Sequence, residues 1–395
     1  MKAFHNKENS VGNNQQNTLT LAGLIITLGI VYGDIGTSPL YVVKAIGAGL
    51  HVINRDTIFG GLSCIFWTLT LQTTLKYVII TLRADNKGEG GIFALFAIIR
   101  RRHKWAYFIA LIGGSTLLAD GIITPSITVT SAIEGLKDIN PQIPVVLVVC
   151  IILTLIFFSQ QFGTSFLGKS FGPLMLIWFI TLAVLGIYQI KYYPEILNSI
   201  NPLYAMRLLQ DHPEGIIILG AVFLATTGAE ALYSDLGHCG IKNIRITWIF
   251  VKTTLLLNYF GQGAWVLHNP GFLNNNLNPF YAIMPNWFLI PGVVIATIAA
   301  IIASQALISG SFTLISEAIS LNFWPKMTIK YPTKIKGQMY VPNINWILWL
   351  SCLFVVWLFR QSSAMEAAYG LSITITMLMT TLLLLLYLSS NVRCF

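Results

Sequence analysis

Three carboxylic acids lie well inside apolar runs of this chain: Asp34, Asp120 and Glu230. Burying an unpaired carboxylate in hydrocarbon is costly. Three of them on separate segments need cations, protons or an aqueous cavity. Asp34 sits in Val31-Tyr32-Gly33-Asp34-Ile35-Gly36-Thr37-Ser38-Pro39-Leu40-Tyr41. Its two glycines and proline weaken a helix and free backbone carbonyls. Irregular backbone at membrane depth is tolerated only when buried in protein or lining a cavity. Asp120, Thr124 and Thr128 are spaced four apart, so they share one helix face. Pro125 exposes a carbonyl near Gly121 beside them. Neutral oxygens with a few carboxylates suit a hard monovalent cation, whose hydration shell they replace. Each acid also has a purely structural explanation. Asp34 could cap the second half of its helix, Asp120 could pair with Lys76, and Glu230 could hydrogen-bond within its own broken segment. The threonines could bond between helices, as is common in membrane bundles.

The elements that position these groups are membrane helices. Of the 395 residues 55% are hydrophobic and 10% charged, and mean hydropathy is +0.70. A soluble domain has about 25% charged residues, so the chain is read as an all-α polytopic membrane protein. Apolar runs predict about ten spans, at 20–50 (broken), 59–82, 107–132, 143–159, 173–190, 215–234, 247–267, 288–312, 343–360 and 366–388. With the N-terminus inside, about 16 lysines and arginines fall on inner connections against about 6 on outer ones. Both termini are therefore expected in the cytoplasm. The tail 1–19 is read as cytoplasmic, 20–388 as the transmembrane core, and 389–395 as a short cytoplasmic tail. No signal peptide is expected, since the polar start lacks a short apolar region with a cleavage site.

The net charge of +9 does not point to nucleic acid, because the basic residues lie in short connections. The five cysteines are scattered mostly through apolar runs, and the six histidines lie near membrane surfaces or in connections. Neither type has the spacing of a transition-metal site. The Gly-rich stretch Arg83 to Gly91 reads as a cytoplasmic turn rather than a phosphate loop. No enzyme chemistry and no cofactor are expected.

An internal echo accompanies this plan. The sixth segment carries Ala225-Thr226-Thr227-Gly228-Ala229-Glu230-Ala231-Leu232-Tyr233-Ser234-Asp235, which pairs glycine with hydroxyls and an acid as the first does. Five helices separate the two, so they run in opposite directions. Corresponding Gly-interrupted segments in two halves mark the binding site of an inverted-repeat transporter.

At these residues the chain resembles a known family. Tyr32 to Tyr41, Leu82 to Gly91, Gly121-Ile122-Ile123-Thr124-Pro125 and Glu230 to His238 resemble, in order, the signature motifs of the Kup/HAK/KT potassium uptake permeases. The resemblance runs from about residue 20 to 388. It implies a LeuT-like (APC) five-plus-five inverted-repeat bundle with helices 1 and 6 broken. It implies potassium ligands at Asp34, Tyr41, Asp120, Thr124, Thr128, Thr227 and Tyr369, and a proton-coupling role for Glu230. The partners it implies are potassium, a proton and the lipid bilayer of a bacterial cytoplasmic (inner) membrane. Family members usually have two further helices and a cytosolic C-terminal domain. This chain stops just after the tenth expected helix, so the resemblance implies a shortened copy with weakened dimerisation. The function expected is secondary uptake of potassium with proton symport. The alternatives are a passive channel, an amino-acid permease of the same fold, and an inactive truncated copy. No repeated filter such as Thr-Val-Gly-Tyr-Gly favours a channel, and Asp34 disfavours an anionic substrate.

Overall fold

The computed structural model describes residues 19–49, 54–86, 88–162, 165–211, 215–269, 271, 277–332 and 339–391. Most of the N-terminal tail lies outside these residues. So do Lys87, Lys334, Lys336, Arg393 and Cys394. Among the described residues there is no strand; pairing of that kind is limited to two isolated bridges, Asn86 with Glu89 and Lys330 with Tyr340. The chain is a bundle of apolar helices. Among the described residues nine spans are long and apolar enough to cross a membrane when the bent first pair counts as one.

The first span is α1 (Leu21–Val31) and α2 (Gly33–Thr37), followed by a 3-10 turn at Ser38–Leu40 and by α3 (Val42–Ala48). The axis turns by 71° between α1 and the segment Gly33–Leu40. Tyr32 sits at the break, as the glycines predict. The second span begins as α4 (Arg55–Thr68) and continues as a π-helix over Leu69–Ile80. A short buried helix, α5 (Ile92–Ile99), then precedes the third span, α6 (Ala106–Glu134). The fourth and fifth are α7 (Val145–Ser159) and α8 (Ser165–Ile190). Helix α9 (Pro202–Asp211) packs on α4. The sixth span is broken: α10 (Gly215–Phe223), a 3-10 turn at Leu224–Thr226, then α11 (Ala229–Ser234) and α12 (Leu236–Cys239). Helix α13 (Ile241–His268) corresponds to the seventh expected span, α14 (Pro279–Ala282) is a single turn, and α15 (Leu289–Ser320), α16 (Pro342–Phe359) and α17 (Ser362–Asn391) complete the bundle.

Close helix contacts are set by small residues, as in other membrane bundles. A Cβ on Gly29 would lie 2.5 Å from the Gly172 nitrogen, so α1 and α8 meet backbone to backbone. A Cβ on Gly261 would lie 2.5 Å from the Cα of Gly186, which brings α13 equally close to α8.

The expected boundaries need three corrections. Helix α8 starts at Ser165 rather than 173, with Pro173 inside the helix. Helix α15 runs to Ser320, about two turns beyond the expected 312. Helix α13 does not reach the apolarity of the nine spans. Its cations are instead accommodated on the second span: Lys252 donates to Thr70 Oγ1 at 2.9 Å, and Arg245 donates to the Val78 and Ile79 carbonyls, both at 3.1 Å.

Candidate functional site

The break in the first span is held open by side chains from other helices. Trp178 Nε1 of α8 donates to the Gly36 carbonyl at 2.8 Å. Gln262 Nε2 of α13 donates to the Pro39 carbonyl at 2.9 Å, and Asn278 Nδ2 donates to the Leu40 carbonyl at 2.8 Å. Freed carbonyls were the expected gain of this break. At these three positions they are already satisfied, so the oxygens left to meet a ligand there come from side chains. Tyr32 anchors the hinge itself: its hydroxyl donates to the Ile244 carbonyl at 2.6 Å, and its ring stacks on Trp248.

Asp34 is 3% exposed, Asp120 5% and Glu230 7%, so none of the three rests in bulk water. Tyr369 of α17 donates its hydroxyl to Asp34 Oδ1 at 3.0 Å. The other carboxylate oxygen, Oδ2, is buried with no hydrogen-bond partner among the described residues. Thr124 donates to Asp120 Oδ1 at 2.7 Å, so this threonine bonds along its own face of α6 rather than to another helix. Asp34 and Asp120 lie within each other's electrostatic reach, and Tyr369 adjoins Thr124 as well as Asp34. Thr128 stands one turn further along α6, its hydroxyl buried and unpartnered among the described residues. Lys76 is not the partner of Asp120; the acid whose field it feels is Glu230.

The two broken spans touch here. Ser38 Oγ and Thr227 Oγ1 are hydrogen-bonded at 2.8 Å. Tyr41 reaches Ser38 with a long 3.4 Å contact and packs edge-on against the Tyr369 ring, centroids 6.2 Å apart. Gly228 has φ +80°, a conformation that favours glycine. A Cβ at Gly228 would lie 2.8 Å from the Ile35 nitrogen and 3.0 Å from Asp34 Oδ2. The left-handed turn at Gly228 therefore lets the sixth span press against the acid of the first. Glu230, in the first turn of α11, accepts from the Tyr77 hydroxyl at 3.2 Å.

Asp34, Asp120, Gly228 and Glu230 open onto a narrow cleft of about 60 Å³, lined also by Asp235, Ser311 and Glu317. Among the described residues no lysine, arginine or histidine lines it. Five acids with no basic side chain in the lining make a cleft that favours positive charge. Six of the seven residues matched to a potassium site, all but Thr128, are joined by these contacts. Sequence reasoning missed Ser38, Gly228 and Glu317. Ser38 lies within a quoted motif without a role of its own, and Gly228 is read there only as the glycine that interrupts the sixth segment. Glu317 fell outside because the eighth span was ended too early. The Gly-rich stretch is a tight turn, with the Gly88 nitrogen donating to Asp85 Oδ2 at 2.8 Å. It docks on the sixth span, where Tyr233 donates to the Ala84 carbonyl at 2.5 Å.

Comparison with known proteins agrees in kind. Residues 21–395 match the family model described as the K+ potassium transporter integral membrane domain. A "Probable potassium transport system protein Kup" of Flavobacterium johnsoniae is 59% identical over 384 residues, which is 95% of this chain and 58% of that protein. The protein of the same description from Cytophaga hutchinsonii is 61% identical over 381 residues, 95% of this chain and 58% of its own. One from Clostridium perfringens is 57% identical over 387 residues, 94% and 59%. The chain thus spans under two thirds of the length of these relatives. Matched along nearly its whole length by the model and by relatives at this identity, the chain belongs to the K+ potassium transporter integral membrane domain family.

Proposed function

We propose that this chain is the membrane core of a secondary transporter that brings potassium into the cell together with a proton. The observation that carries the reading is the Asp34 carboxylate, held on one oxygen by Tyr369 and left with the other buried and unpartnered. A buried carboxylate oxygen without a donor is destabilising unless a cation or a proton completes it, and potassium and a proton are the two cargoes of this reading. Asp34 and Asp120 supply charge. Tyr41, Thr124, Thr128, Thr227 and Tyr369 supply neutral oxygen at membrane depth. Glu230, across the cleft, exchanges the proton. The relatives' printed name, a probable potassium transport system protein, supports potassium as the cargo.

The architecture proposed is a ten-span, five-plus-five inverted repeat with α13 as the seventh span. Two features favour it: broken spans one and six, and their meeting at Ser38 and Thr227. The excess of lysine and arginine on the connections of one side supports an orientation with both ends of residues 20–388 in the cytoplasm. On that orientation the acid-lined cleft faces inward, and the setting is a bacterial cytoplasmic membrane. Alternating access would follow from rocking one bundle against the other. Expression in a strain lacking its own potassium uptake systems should restore growth at limiting potassium. A strain that makes the chain in its membrane and still fails to grow would refute the proposal.

A further inference from the structure

Lys76 lies in an apolar stretch, half-buried, on the π-helical part of the second span. A lysine at that depth normally reaches for the interface with its ammonium. This one turns inward. Its Nζ donates to the Met377 carbonyl of α17 at 3.0 Å and lies 4.5 Å from the centroid of its neighbour's ring, Tyr77. The Tyr77 ring is fully buried, and its hydroxyl donates to Glu230 Oε1. The ammonium and the Glu230 carboxylate lie within each other's field. Met377 also takes Gln72 Nε2 on its sulfur at 3.2 Å, with Thr226 Oγ1 at 3.8 Å. Spans two, six and ten are thus stitched together behind Glu230.

We propose that Lys76 is the fixed countercharge of Glu230, a positioning residue that holds this carboxylate against the wall of the cleft between spans two, six and ten. The π-helix is what makes the placement available. Its i→i+5 pattern is seen in the hydroxyls of Thr74, which donates to the Leu69 carbonyl at 3.0 Å, and Thr81, which donates to the Lys76 carbonyl at 2.8 Å. Stretches of this kind recur at functional sites because they re-aim side chains that a regular helix would send elsewhere. Here Lys76 and Tyr77, adjacent in sequence, both serve one carboxylate. The Tyr77 ring holds the ammonium over its electron-rich face and presents a hydroxyl donor at its tip. An acid that must part with a proton needs a cation waiting, and Lys76 supplies one that never leaves. The inference rests on the reading of Glu230 as the proton-exchanging acid, but the pairing itself can be tested without transport.

The experiment is a stability cycle on the full chain in detergent, with Lys76→Met, Glu230→Gln, the double variant and Lys76→Arg. Lys76→Met leaves a buried carboxylate without its cation and should lower Tm on the order of 5 °C. The double variant should recover most of that loss, and Lys76→Arg should keep Tm near wild type. Should Lys76→Met fail to accumulate, accumulation of the double variant is the same result. Losses that simply add, or a Lys76→Met protein as stable as wild type, would overturn the pairing. In vesicles, Lys76→Met should slow net rubidium uptake about tenfold while leaving equilibrium rubidium binding within about threefold. Unchanged uptake would remove the functional role. A wild-type chain that imports nothing but still shows the stability coupling would count against the transport reading alone.

Discussion

The hydroxyl of Tyr369 donates to Asp34 Oδ1 at 3.0 Å across a separation of 335 residues. One bond joins the broken first span to the tenth and leaves Asp34 Oδ2 facing the Gly228 turn of the sixth. Helix α17 therefore closes against the break in the first span, and the predictions follow from that contact.

Thr124→Val should raise the half-saturation concentration for potassium more than it lowers expression. The change removes the hydroxyl that donates to Asp120 Oδ1 at nearly constant volume. Losing such a partner for a buried group is worth about 1–3 kcal/mol, or roughly 5- to 150-fold in affinity. Rubidium uptake measured against concentration checks this. An unchanged half-saturation point would mean that Thr124 only packs.

Gly228→Ala should damage the site without removing any charged group. A methyl there meets backbone of the first span at 2.8 Å, and φ is +80°. Strain of this kind is worth about 1–3 kcal/mol. The variant should lose thermal stability and rubidium binding together. Normal binding in a normally stable Gly228→Ala protein would show that the two spans do not need this close approach.

Glu230→Gln should separate uptake from proton movement. The variant cannot cycle a proton, so it should either stop net uptake or exchange potassium for potassium with no proton flux. A pH dye in vesicles, read beside equilibrium binding, distinguishes lost coupling from lost affinity. Proton movement at the wild-type ratio would remove Glu230 from the mechanism and shift the role to Asp120.

Local chemistry made half of this site legible in the sequence. Gly33, Gly36 and Pro39 announce a break, and an acid inside an apolar run announces a cost that something must offset. The four-residue spacing of Asp120, Thr124 and Thr128 fixes a face without any structure. Long-range partners left no such mark. Nothing near Ala368-Tyr369-Gly370 says that its tyrosine meets Asp34; that reading came from the family resemblance. The capping of Gly36, Pro39 and Leu40 by Trp178, Gln262 and Asn278 is likewise invisible in sequence. The π-helix over Leu69–Ile80 has no pattern that distinguishes it from an α-helix. Nor does the sequence say that Lys76, on this stretch, donates to the Met377 carbonyl. Glu317 was hidden by a boundary: helix α15 stays helical past the point where its apolarity falls.

Rubidium uptake by the purified chain in proteoliposomes, wild type beside Asp34→Asn and followed with a lumenal pH dye, tests the central claim most directly. The substitution keeps the shape of the side chain and removes the charge that faces the cation. The account predicts saturable uptake by the wild type with acidification of the lumen, and none by Asp34→Asn despite normal insertion. Uptake by Asp34→Asn at a near-normal rate, or wild-type uptake with no proton movement, would contradict it.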